Sequence, residues 1–172
     1  VKMLAAAVEA QPKNLTLIMK LAALYRDQKL FDDALRTLSK GSAVETDTPQ
    51  LLIELGRIYL EKGLYDEALS YFNKATEKDK NNLNSYIWRG TLYFRQGDVE
   101  TGAEEFKAAQ AINPKSVDVL KALGKAYIDR GMFYEGIQEL QKIFEFSPKE
   151  KLVHYAVGLG FLPAHFVAAA RE

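Results

Sequence analysis

The chain has 172 residues, 48% of them hydrophobic, and its 23 basic and 23 acidic side chains cancel to a formal charge of zero. Such a composition describes a soluble, folded domain or a short repeat array and excludes a disordered tail. Neutrality argues against a nucleic-acid binder, which needs a strongly basic face. The absence of cysteine excludes disulfides, thiolate catalysis and cysteine metal sites.

No run reaches the roughly 18 apolar residues of a membrane span, so no membrane insertion is expected. The opening stretch VKMLAAAVEAQP lacks the basic segment, apolar run and cleavage site of a signal peptide. It also lacks an initiator methionine, as a trimmed piece of a longer parent chain would. These features leave the compartment open, with the cytoplasm favoured over the periplasm.

The organising feature is a period of 34 residues that runs without insertions. Tyr25, Tyr59, Tyr93, Tyr127 and Phe161 form one series, and Ala22, Gly56, Gly90, Gly124 and Gly158 a second. Lys29, Gly63, Gly97 and Gly131 form a third, and Leu4, Leu38, Phe72, Phe106 and Leu140 a fourth. A series through Pro12 is broken at Thr46 and Lys80 and restored at Pro114 and Pro148.

Taken in chain order, residues 1–14 read as the second helix and closing proline of a partial unit. Residues 15–48 form the first whole unit, with Ile18, Leu21, Ala22 and Tyr25 on one helix and Ala34 and Leu38 on the next. Residues 49–82 are the most regular. There Leu52, Leu55, Gly56 and Tyr59 recur at i, i+3, i+4 and i+7, one face of a helix. Gly63 interrupts as a turn residue should, and Tyr65, Ala68, Leu69, Phe72 and Ala75 make a second apolar face. Residues 83–116 repeat this with Tyr86, Gly90, Tyr93, Gly97, Phe106, Ala109 and Pro114, and residues 117–150 with Leu120, Leu123, Gly124, Tyr127, Gly131, Leu140 and Pro148. Residues 151–172 are a partial or capping unit. Each unit is a helix–turn–helix that cannot bury its apolar face alone and must stack on its neighbours.

Over essentially its whole length the chain resembles the tetratricopeptide repeat family. The spacing large–x–x–Leu–Gly–x–x–Tyr, then Gly, Ala, aromatic and Ala, stands here as Leu52, Leu55, Gly56, Tyr59, Gly63, Ala68, Phe72 and Ala75. The resemblance implies an all-α fold, a right-handed α-solenoid of stacked antiparallel helix pairs, with residues 1–172 as a single array of four to five repeats. It also implies a non-catalytic protein-binding role. Arg89 departs from the pattern where Leu is usual, and Gly102 and Gly136 where Ala is usual. Each glycine should loosen its helix by about 0.5–1 kcal/mol relative to Ala.

The segment KLVHYAVGLGFLP (151–163) is apolar almost all round, and such a helix wants cover. A continuing parent chain, a self-association surface through Tyr155, Leu159 and Leu162, or a final short helix folding back would each supply it.

No catalytic inventory can be assembled. His154 and His165 are not at the i, i+4 spacing of a helical metal pair, and GLG at 158–160 lacks the strand and loop of a phosphate cradle. The acidic pairs Asp32–Asp33 and Asp66–Glu67 suit the positive end of a helix dipole. No enzyme activity, metal or cofactor is expected. Helical repeats of similar length read single-stranded RNA through polar residues on each first helix, but those positions are largely apolar here. An RNA binder is a remote alternative.

With each tyrosine of the first series numbered 11 in its unit, positions 4, 7, 8 and 11 make the core face and positions 2, 5, 6, 9 and 12 face a concave groove. The groove then holds Met19, Lys20, Ile53, Arg57, Ile87, Trp88, Thr91, Phe94, Lys121 and Lys125. Trp88, the one tryptophan, sits in an apolar, aromatic platform rimmed by cations, the composition of a protein–protein hot spot. Its alternative role is packing on the neighbouring repeat. The expected partner is a protein or peptide with apolar and acidic residues. The family's carboxylate clamp and asparagine ladder are not expected, because the asparagines are missing. The alternative function is self-assembly through the C-terminal unit, giving a homo-oligomer.

Overall fold

The computed structural model describes residues 1–42 and 48–146. Among these residues nine helices follow one another. They are α1 (Lys2–Ala10), α2 (Leu15–Asp27), α3 (Phe31–Ser42), α4 (Pro49–Glu61), α5 (Tyr65–Lys78), α6 (Leu83–Gln96), α7 (Val99–Ile112), α8 (Val117–Asp129) and α9 (Phe133–Phe146). Contacts divide the chain into two compact units, Val1–Leu92 and Tyr93–Glu172, with the border inside α6.

Local chemistry sets where each helix begins. The side chains of Asn14, Thr48 and Ser116 accept hydrogen bonds from the backbone N–H groups of Leu17, Leu51 and Val119, capping α2, α4 and α8. Asn82 does the same for Ser85 ahead of α6, at 3.4 Å. These four caps also lie on the 34-residue period, and a cap of this kind is worth about 1 kcal/mol. The second helices of the pairs carry acidic residues in their first turns, Asp32 and Asp33 in α3, Asp66 and Glu67 in α5, Glu100 in α7 and Glu135 in α9, and α7 is also capped by Asp98. The exposed N–H groups there favour negative charge.

The first helices also end alike. The amides of Leu30, Leu64, Asp98 and Met132 donate back to the carbonyls of Tyr25, Tyr59, Tyr93 and Tyr127, at 2.8 to 3.0 Å. This closing bond needs a left-handed residue just before the donor. Gly63, Gly97 and Gly131 supply it at φ of 77°, 93° and 77°, and Lys29 at φ of 60°. Lys29 thus belongs to the glycine series by conformation.

In the first unit α2 packs on α3, α4 on α5, and α4 also on α2 and α3. The core there holds Val8, Ile18, Leu21, Ala22, Ala34, Leu38, Leu51 and Ile58. Farther along, the buried Phe72 ring lies so close to Gly56 that an added methyl would sit 2.4 Å from its Cε1. The crossing of α4 and α5 is tight because Gly56 has no side chain. In the second unit Phe94 meets Phe106 and Tyr127 edge to face, with centroids 5.9 and 5.0 Å apart. Leu120, Leu140 and Ile143 form the core between α8 and α9.

Gly136 behaves differently from its propensity. A methyl there would lie 2.7 Å from the Gly124 carbonyl oxygen and 2.7 Å from Ile128 Cγ1. At Gly124 a methyl would meet Leu140 Cγ at 2.7 Å. The backbones of α8 and α9 therefore cross at two glycines. Loss of helix propensity at Gly136 comes with a contact that alanine would forbid.

Candidate partner-binding surface

The first helices are packed on more than their core face. α4 buries Leu51, Leu52, Ile53, Glu54, Gly56, Ile58 and Leu60, because it meets α2 of the preceding pair as well as its own partner α5. Positions 5 and 12 are largely consumed in this way. Ile53 and Ile87 keep 6% and 7% of their surface, and Leu60 and Phe94 keep 2% each. Positions 6 and 9 of the predicted groove side are more varied, and Glu54 at position 6 is buried. Lys20 and Lys125 are exposed, and Arg57, Trp88 and Thr91 are half-buried.

Trp88 has two ring neighbours within the first unit. Phe72 stacks on it with centroids 6.5 Å apart and planes 20° from parallel. The guanidinium of Arg57 lies over the indole, 4.4 Å from its centroid, a cation–π contact. Arg57 donates to Glu54 Oε1, one turn earlier on α4, and Arg26 of α2 donates to the other oxygen, Oε2. Arg26 also pairs with Asp27 at 2.8 Å. One connected line, Asp27–Arg26–Glu54–Arg57–Trp88, joins α2, α4 and α6.

From its buried middle the line opens toward both ends, Asp27 on one side and Arg57 on the other. Arg26 and Glu54 are buried, with 7% and 8% of their surface exposed, whereas the Arg57 side chain is 26% exposed. A buried carboxylate is tolerable when charge-assisted hydrogen bonds answer both its oxygens, as the two arginines do here. Burial pushes the Arg57 guanidinium below its ordinary value; Glu54 pulls it back up and Arg26 presses it further down.

The remaining predicted residues divide between the units. Met19 packs half-buried against the N-terminal core, and Thr91 donates its hydroxyl to the Ile87 carbonyl at 2.7 Å. In the second unit Lys121 is half-buried and Lys125 pairs with Asp129 one turn on. Phe94 is spent on Phe106 and Tyr127. Tyr155, Leu159, Leu162, His154 and His165 lie outside the described residues. Arg89, odd by the repeat pattern, sets its guanidinium 5.8 Å from the Tyr86 ring centroid. The residue is half-buried, with its Nε shielded from solvent.

Besides Asp27, the predicted groove set omits two residues of this line, Glu54 and Arg26. Their positions, 6 and 12, already put them on the groove side beside Arg57 at position 9. The signal was opposite charge on one side of adjacent first helices. A cavity of about 330 Å³ at the turn between α2 and α3, lined by Lys29, Leu30, Phe31, Asp32, Asp33 and Lys62, shares no residue with this surface.

The tetratricopeptide repeat family model matches residues 19–82 and 53–117, two overlapping stretches. Their starts, 19 and 53, differ by the 34 residues of the internal period. The chain belongs to the tetratricopeptide repeat family, whose fold is a solenoid of helix pairs. Its members are in general non-catalytic scaffolds that bind protein partners.

Solved structures agree on the fold. TTC0263, a thermophilic tetratricopeptide repeat protein of Thermus thermophilus, is 21% identical over 92% of this chain and 88% of its own, with a TM-score of 0.76. MamA is 22% identical over 83% of each chain, with a TM-score of 0.57. PilF of Pseudomonas aeruginosa is 15% identical over 81% of this chain and 64% of its own, with a TM-score of 0.64. No curated protein sequence matches the chain. Among the described residues no helix is long and apolar enough to cross a membrane.

Proposed function

We propose that the chain is a non-catalytic scaffold whose groove side, around Trp88, takes a peptide segment of a partner protein. The observation that supports this reading is the half-buried indole beneath a guanidinium that its own helix neighbour holds. A large, rigid aromatic fixed before binding loses little freedom when a partner arrives.

The partner brings an apolar anchor first and an acidic residue second. Arg57 is already answered by Glu54, so a partner carboxylate beside Trp88 meets charge that is largely matched. Binding should therefore weaken only modestly with added salt, since exposed, screened pairs contribute little. A titration between low and physiological salt measures this, and a steep loss of affinity would favour a charge-driven partner instead.

The reading is tested by partner capture with wild type and Trp88→Ala, alongside light scattering. A groove binder loses its partner on Trp88→Ala and keeps its mass. Self-assembly through the C-terminal segment predicts the reverse: capture unaffected by Trp88→Ala, and a change of mass when Tyr155 or Leu159 becomes charged.

A further inference from the structure

We propose that Glu54 is a positioning residue for the Trp88 surface and acts through Arg57. Its effect on binding rests on the groove reading above, but the positioning itself can be read in the free protein. Three observations meet at this residue.

Glu54 is buried although it is charged, so its place in the fold depends on what answers its two oxygens. Each oxygen takes a guanidinium from a different helix, Oε2 that of Arg26 on α2 and Oε1 that of Arg57 on α4. Arg57 then has its guanidinium 4.4 Å from the Trp88 ring centroid, while Phe72 stacks against the same indole.

The consequence is specific. An arginine side chain has many rotamers, and an indole face attracts its guanidinium only weakly at a partly exposed site. The Glu54 pairing at i, i+3 selects the rotamer that covers Trp88. Arg26 in turn fixes Glu54 from the preceding helix pair. With Phe72 and Arg57 both against the ring, a partner's apolar side chain meets the part of the indole they leave open. Glu54, which that partner need not touch, thereby decides how much of Trp88 is available.

The single tryptophan makes this measurable without any partner. Acrylamide is a neutral quencher, so it reports cover over the indole and not local charge. Glu54→Gln should raise acrylamide quenching of Trp88 and shift its emission to the red, as should Arg57→Met, which keeps the apolar stem but cannot pair. In the double variant, Glu54→Gln should add nothing to Arg57→Met. Glu54→Asp, whose shorter carboxylate cannot reach both arginines, gives the same cycle should Glu54→Gln fail to fold. Unchanged quenching in Glu54→Gln, or a full additional effect in the Arg57→Met background, would overturn the proposal. Failure of the groove reading would look different: the cycle would hold while Trp88→Ala bound its partner normally.

Discussion

Lys29 carries the one positive φ outside glycine among the described residues, at 60°. A side chain in that region costs on the order of 1 kcal/mol, and the closing bond from Leu30 to Tyr25 holds it there. Lys29→Gly should relieve that cost but also free the unfolded chain, for a net gain of about 0.5 kcal/mol in urea unfolding. The period alone already placed Lys29 among glycines, so this residue was legible from spacing. Glu54 was not. Its pairing with Arg26 spans 28 positions, and only the packing of α2 on α4 brings them together. Glu54→Ala leaves Arg26 buried beside Arg57 with no carboxylate between them. Removing one partner of a buried pair costs about 3–5 kcal/mol; the exposure of Arg57 points to the lower end. Chemical denaturation measures it.

At the scale of elements the clearest case is the crossing of α8 and α9. Helix propensity alone says Gly136→Ala should stabilise by up to about 1 kcal/mol. The crossing says otherwise, because the new methyl meets backbone at Gly124 and cannot be accommodated by a side-chain rotation. The expected result is a net loss of about 1–3 kcal/mol, as for overpacking elsewhere, and a lowered thermal midpoint would register it. Gly56→Ala drives a methyl into the Phe72 ring and should cost a similar amount. Helix pairs, turns and the tyrosine–glycine framework were legible from the sequence because periodicity encodes them directly. The distinction between a glycine that loosens a helix and one that permits a crossing was not, since it depends on interhelical distance. Phe94 shows the same limit. The helical wheel put it on the groove side, while the stack takes it into contact with Phe106 and Tyr127.

For the molecule as a whole, membership of the tetratricopeptide repeat family fixes the fold and the general role of a protein-binding scaffold. Within that fold the chain carries the Asp27–Arg26–Glu54–Arg57–Trp88 line across its first helices. The wheel placed Trp88 and Arg57 on one side, and the pairing of Arg26 with Glu54 behind them appears only once the helices are stacked. The most direct test is the affinity of the captured partner for wild type and for Trp88→Ala, with both proteins matched for helicity. A central aromatic anchor is worth about 2 kcal/mol or more on truncation, so Trp88→Ala should bind roughly 30-fold more weakly. Equal affinity in the two proteins would contradict a groove centred on Trp88.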